Sequence, residues 1–249
     1  MCGRYATTSS RADLARVFDV DLQHADPELP ADYNVAPTKQ SMVVLARPPR
    51  DAGARAEPVR QIRDLVWGLV PSWSKDPKPG ARMINARAET VAEKPAYRRA
   101  FVSRRLLVPV AGFYEWLPTQ QLGRAGKPLK QPFYLRPRGS DVLPVAGIYE
   151  FWRDREKASD EPGAWLTTFA IITTTATDDV GRIHDRMPMT VPQENWDAWL
   201  DPRHTATAEL QELMQPPAEG SLDIYAVSTE VNSVRNSGAE LVRPLHEVT

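Results

Sequence analysis

Apolar positions in this chain recur mostly with the period of two that marks strands, and only briefly with helical spacing. Ser41–Ala46, Arg60–Trp67, Trp165–Thr175 and Ile224–Val227 are β-branched or alternating runs and predict strands. Ser10 followed by Asp13, with Leu14, Val17 and Phe18 on one face, predicts a short capped helix. Pro95–Ser103 predicts a second, with Pro95 in its first turn, Tyr97 and Phe101 one turn apart, and a solvated basic side of Arg98, Arg99, Arg104 and Arg105. Two amphipathic helices follow, one carrying Trp196, Trp199 and Leu200 up to Pro202, the other Leu210, Leu213 and Met214 up to Pro216. Residues 21–40, with Pro27, Pro30 and Pro37, read as loop around a defined turn in Tyr33–Pro37. Residues 118–131 read as a mobile hairpin loop and 153–163 as a second such loop, and Val231–Pro244 as a polar tail folded back on the body.

One echo stands out. Val110-Ala111-Gly112-Phe113-Tyr114-Glu115-Trp116 resembles Val145-Ala146-Gly147-Ile148-Tyr149-Glu150-Phe151, two similar strands rather than a solenoid. Alternation puts Glu115 on the face of Phe113, where desolvation would raise its pKa toward general-acid use; the pattern alone does not separate Glu115 from Glu150. Helices and strands are scattered without βαβ alternation. The expected fold is α+β: a single domain over 1–249, its core over about 2–245, with a mixed, mostly antiparallel barrel-like β core and peripheral helices.

Composition narrows the class. Hydrophobic content of 42% and charged content of 25% are those of an ordinary soluble globular chain. A single cysteine excludes a disulfide framework. No apolar run suits a signal peptide or a membrane span, so a cytoplasmic location is expected, nucleoid-associated in a bacterium. The net charge of −1 hides an asymmetry: residues 1–140 carry 23 Lys/Arg against 13 Asp/Glu, and residues 141–249 carry 8 against 19. A basic half suits a polyanion, and mutual attraction of the two halves within the fold accounts for it equally well.

The candidate chemistry begins at the amino end. Cys2 directly follows Met1, and trimming of that methionine leaves an amine and a thiol on one carbon frame. Such an amine is roughly 10–20% neutral at pH 7 and adds to aldehydes, after which the tethered thiol closes a five-membered ring. The plain alternative is a small buried hydrophobe, although chain ends fray unless tied down. His184, between a strand and the Asp185-Arg186 pair, is a catalytic candidate against the commoner structural histidine. Trp67 and Trp73 have core packing as their ordinary role; in a loop beside Lys75, Lys78 and Arg82 they are also candidates to stack on unpaired bases. The four histidines His24, His184, His204 and His246 have no zinc spacing, no P-loop or Gly-x-Gly-x-x-Gly is present, and neither metal nor cofactor is expected.

Met1–Arg4, Tyr33–Pro37, Trp67–Pro71, Ile84–Thr90, Gly112–Trp116, His184–Pro188 and Asn236–Leu241 together resemble the SOS-response-associated peptidase (SRAP) family, in the family's order and over nearly the whole chain. The resemblance implies covalent capture of abasic sites in single-stranded DNA through a thiazolidine at Cys2, with autocatalytic loss of Met1 behind the family's peptidase label. It also implies that Asn85 holds the amine and the sugar-derived chain, that Glu115 rather than Glu150 serves acid–base steps, and that His184 assists ring opening and reversal. Arg4, Arg87 and Arg186 match phosphate contacts. The family pattern near Trp67 is a closer aromatic pair than Trp67 and Trp73 make. The expected partners are abasic single-stranded DNA and the replication machinery, with nothing in the sequence calling for more than a monomer. The rival is an N-terminal-nucleophile glutaminase or cysteine amidohydrolase, which also begins Met-Cys-Gly but resembles its relatives in an Asn-Gly pair that this sequence lacks.

Overall fold

The alternating runs do become strands, and they pair in two sheets. The computed structural model describes residues 2–49, 53, 56–123, 125–177 and 179–245; Met1 and His246, singled out above, lie outside these. In chain order the elements are β1 (Tyr5–Thr7), α1 (Arg11–Phe18), β2 (Asp32–Val35), β3 (Gln40–Arg47), β4 (Val59–Trp67), β5 (Asn85–Arg87), α2 (Arg98–Ser103), β6 (Arg105–Val110) and β7 (Gly112–Leu122). They continue with β8 (Pro128–Pro137), β9 (Leu143–Arg153), β10 (Trp165–Thr175), α3 (Val180–Ile183), β11 (Arg186–Pro188), α4 (Trp196–Leu200), α5 (Thr207–Glu212) and β12 (Leu222–Ala226).

Strands β10, β4, β3, β6 and β9 are neighbours in that order, and β9 pairs back onto β10, which closes a five-stranded barrel. Closure leaves these strands no free edge. Its pairings are antiparallel except β10–β4, and β5 adds to β10 in parallel as well. The second sheet, β12-β8-β7-β1-β2, is antiparallel throughout. The expected α+β architecture with a barrel-like core is the one observed.

Period two decides which side each residue serves. In β3, Met42, Val44 and Ala46 pack with Leu14, Phe18, Phe101, Trp196, Trp199 and Leu210 of the helices. Val43 and Leu45 instead join Tyr5, Phe113 and Leu135 of the second sheet, with Cys2 among them. The helices span only four to eight residues, too few to persist alone, so their buried apolar faces hold them. Ser10 accepts the Asp13 N–H as the N-cap of α1, as its spacing predicts.

The structure corrects several local expectations. Residues 21–40 contain β2, a short partly polar strand that only its pairing with β1 reveals. α2 starts at Arg98; Pro95 lies in the preceding turn, where Arg98 N–H bonds Lys94 C=O. The stretch 118–131 is largely strand, the outer part of the β7–β8 hairpin. Arg105 is not on a solvated face. It is buried, and its guanidinium donates to the carbonyls of Trp199 (2.6 Å), Phe101 (2.9 Å), Val102, Asp201 (2.6 Å) and His204 (3.0 Å). A cation there satisfies carbonyls that the ends of two short helices leave unpaired. The charge asymmetry is partly internal too, since Arg60–Asp197 (2.6 Å), Arg104–Glu150 (2.8 Å) and Arg138–Asp223 (2.7 Å) join the basic half to the acidic half. Among the described residues no helix is long and apolar enough to cross a membrane.

Candidate active site

Strand register brings the amino end to Glu115. β1 pairs antiparallel with β7 at Tyr5–Phe113 and Ala6–Gly112, and the Tyr114 N–H bonds Arg4 C=O at 2.9 Å, so the first residues run beside Glu115. From the other side β5 delivers Asn85, whose Nδ2 donates to Cys2 C=O at 2.9 Å. Asn85 Oδ1 is buried and has no hydrogen-bond partner among the described residues, an acceptor beside Cys2. The Tyr97 hydroxyl in turn donates to Asn85 C=O at 3.2 Å.

Cys2 is only 1% exposed, packed with the apolar residues between the sheets. Burial pushes its thiol pKa well up, and the nearby Glu115 carboxylate adds to the rise. The thiol is therefore held protonated rather than as a reactive thiolate. Glu115 shares the face of Phe113, as alternation predicts, and is 2% exposed. Its pKa is pushed up to about 7, chiefly by burial, with Asp185 adding and Lys130 opposing. A carboxyl titrating near neutrality can give and take a proton.

His184 stands opposite, its Nε2 4.0 Å from Glu115 Oε2. Arg186 N–H donates to His184 Nδ1 at 3.0 Å, an arrangement that assigns the ring proton to Nε2. Asp185 Oδ1 lies 2.9 Å from the same Nδ1. One nitrogen cannot accept from the amide and donate to the carboxylate together, so the second contact belongs to the protonated ring. Burial holds the His184 pKa below its usual value, against the pull of Asp185, which favours the neutral tautomer.

Glu115 and His184 open on a cleft of about 750 Å³, lined also by Arg4, Trp116, Leu129, Lys130, Thr229 and Asn232. A depression of about 800 Å³ elsewhere, around Tyr33, Tyr134 and Tyr225, has no histidine or cysteine in its lining; chemistry, not volume, singles out the first. Arg4 donates to Asn34 Oδ1 at 2.7 Å and to Val231 C=O at 2.8 Å, and its guanidinium lies 5.9 Å from the Trp116 ring centroid. Asn34 then bonds the carbonyls of Val231, Ser233 and Asn236, which ties the chain's last third to this wall.

The other expected contacts divide. Arg87 is exposed and, by alternation, on the same face of β5 as Asn85. Trp73 is 63% exposed on a loop beside exposed Lys75, Lys78 and Arg82. The neck of that loop is closed by the Leu69 N–H to Met83 C=O bond, and Gly68, at φ 123°, has no Cβ where Gly80 C=O would stand 2.5 Å away. Arg186 is clamped by Glu89 at 2.7 and 2.9 Å and donates to Thr173 C=O at 2.6 Å. Trp67 contradicts the stacking expectation: it is 0% exposed, donates to Ile84 C=O at 3.0 Å and meets Tyr5 edge to face, so its role is packing. Trp116, Lys130, Thr229 and Asn232 were not among the expected site residues. Adjacency to Glu115 marks Trp116 in the sequence, whereas cross-strand pairing and the folded-back tail supply the others.

The sequence model of the SOS response associated peptidase (SRAP) family matches residues 1–234. The chain is similar to the Abasic site processing protein YoaM of Bacillus subtilis, 37% identical over 242 residues and covering 97% of each chain. It is also similar to the Abasic site processing protein HMCES of Gallus gallus, 33% identical over 98% of this chain and 78% of that one. A crystal structure of a Bacteroides thetaiotaomicron protein shares the fold with a TM-score of 0.76 at 22% identity, over 98% of this chain and all of that one. A phage-related protein of Bordetella bronchiseptica, 28% identical, matches with a TM-score of 0.64 over 91% of this chain and 94% of that one.

Proposed function

The chain belongs to the SRAP family, and on that premise we propose that it processes abasic sites in single-stranded DNA by capturing the ring-opened sugar on Cys2. What supports this reading most is that Glu115 and His184 share one cleft, while Cys2, held by Asn85 and buried behind it, lies close enough to feel the Glu115 charge. Loss of Met1 turns the Cys2 nitrogen from an amide into an amine, and Asn85 Oδ1 is the acceptor that orients it. An abasic sugar is mostly a closed hemiacetal, and His184 assists its opening. The amine adds to the aldehyde carbon, and Glu115 in its protonated form gives the proton with which water departs, leaving an iminium. The Cys2 sulfur then bonds that carbon and the thiol proton returns to the Glu115 carboxylate. One C–N and one C–S bond form and one water is released. Ring closure removes the iminium that would otherwise permit β-elimination, so the strand stays whole.

Arg4 and Arg87 are the proposed phosphate contacts and Trp73 the proposed stacking surface; a phosphate at Arg186 requires exchange of its Glu89 partner. Incubation with an abasic oligonucleotide is expected to yield an SDS-resistant adduct whose mass is the sum of both partners less one water. Cys2→Ala is expected to abolish it, and Cys2→Ser to leave only a bond that borohydride traps. Absence of the adduct from protein shown by mass spectrometry to begin at Cys2 would overturn the proposal.

A further inference from the structure

Among the described residues, the β7–β8 hairpin beyond Trp116 and Gln131 has no strand partner except itself. β1 reaches β7 only at Gly112 and Phe113, and β12 covers β8 only from Phe133 to Pro137. Residues 117–122 and 128–130 therefore form a two-stranded arm of roughly 20 Å by strand rise. An isolated hairpin of this kind is marginal in water. This one also exposes large apolar side chains, Leu122 at 66% and Leu129 at 48%.

The arm has two further properties. Residues 116–140 contain no Asp or Glu and five Lys/Arg, among them Lys127 in the turn at the arm's tip and Lys130 on the arm, both exposed. Prolines interrupt the donors of both edges, with Pro118 opposite Lys130, Pro128 opposite Leu122 and Pro132 opposite Trp116. Proline-blunted edges do not accept an added strand, which disfavours a peptide docking by sheet extension. The base of the arm, at Leu129 and Lys130, lines the same cleft as Glu115 and His184. Anything threading that cleft passes beside an acid-free arm.

We propose that the β7–β8 arm is a clamp for the DNA strand flanking the captured sugar, with Lys127 and Lys130 on backbone phosphates and Leu122 and Leu129 against unstacked bases. The proposal rests on the DNA-capture reading given above. Its test uses the full chain and two probes, an intact single-stranded oligonucleotide for reversible binding across a salt series and an abasic one for adduct formation. Lys127→Glu with Lys130→Glu is expected to weaken reversible binding about tenfold at low salt and to lower the slope of log affinity against log salt by about 1.4, two single-strand phosphate contacts. Adduct formation at limiting DNA should fall in parallel, and Lys127→Arg with Lys130→Arg should restore both. Unchanged affinity and slope in the Glu pair overturn the clamp, as does a loss that the Arg pair fails to restore. Wild-type protein that binds the intact strand with the arm-dependent slope but forms no adduct sinks the capture reading and leaves the clamp standing.

Discussion

Val110–Trp116 and Val145–Phe151 are near copies in sequence, and each places a glutamate in a strand at almost the same depth, Glu115 at 2% and Glu150 at 6% exposure. Their surroundings differ. Glu150 receives Arg104 Nη2 at 2.8 Å and the Phe151 N–H at 2.9 Å, so both oxygens are satisfied by the fold. Glu115 faces a cleft with His184 at 4.0 Å and a neighbouring thiol, and its pKa is pushed up to about 7. Burial alone does not make an acid–base group. A buried carboxylate titrates near neutrality where burial outweighs the charges that favour its ionised form, as at Glu115.

Substitutions at the two positions should separate these roles. The largest effect is expected from Glu115→Gln, which should slow adduct formation by about 100-fold or more, measured as single-turnover rates on abasic DNA. An equal rate in wild type and variant would erase the distinction between the two carboxylates. Next comes pH. A carboxyl whose folded pKa lies above its unfolded value binds its proton more tightly in the native state. Glu115 should therefore add stability in full below about pH 4.5, lose it progressively as pH rises, and contribute none above about pH 7, a swing of about 3 kcal/mol. Denaturant titrations across this range should show that slope in wild type and a flatter one in Glu115→Gln.

Glu150→Gln should do the reverse, costing about 1–3 kcal/mol of stability through the lost charge-assisted bond to Arg104. Its adduct rate per folded molecule should equal that of wild type. The smallest effect is expected at Asp185, which is 86% exposed and touches only the protonated form of His184. Asp185→Asn should lower the His184 pKa further, read from its imidazole NMR shifts, because the Asp185 charge favours the protonated ring; an upward shift would contradict that contact.

Much of the fold was legible along the chain because strand alternation and the Ser10 cap are local physics. Trp165–Thr175 is read to the residue, and the desolvation of Glu115 follows from sharing a face with Phe113. The echo of Glu115 and Glu150 was legible as well, yet period and composition are blind to a counter-ion that arrives from 46 positions away. Trp67 and Trp73 show the same limit: two tryptophans in one loop-like stretch, one sealed under Tyr5 and Ile84, the other left in solvent.

The sequence by itself determined the strand-rich α+β class, the family resemblance and the chemical types present: one thiol next to the amino end, one histidine between a strand and an acid, and arginines in quantity. Tertiary structure alone decided that Asn85 meets Cys2, that Arg105 is swallowed by helix ends while Lys130 stays on the cleft, and that Arg186 is taken up by Glu89. The reason is that local pattern sets which face of a strand a side chain occupies, whereas charge state and access depend on what the pairing of distant strands brings opposite that face.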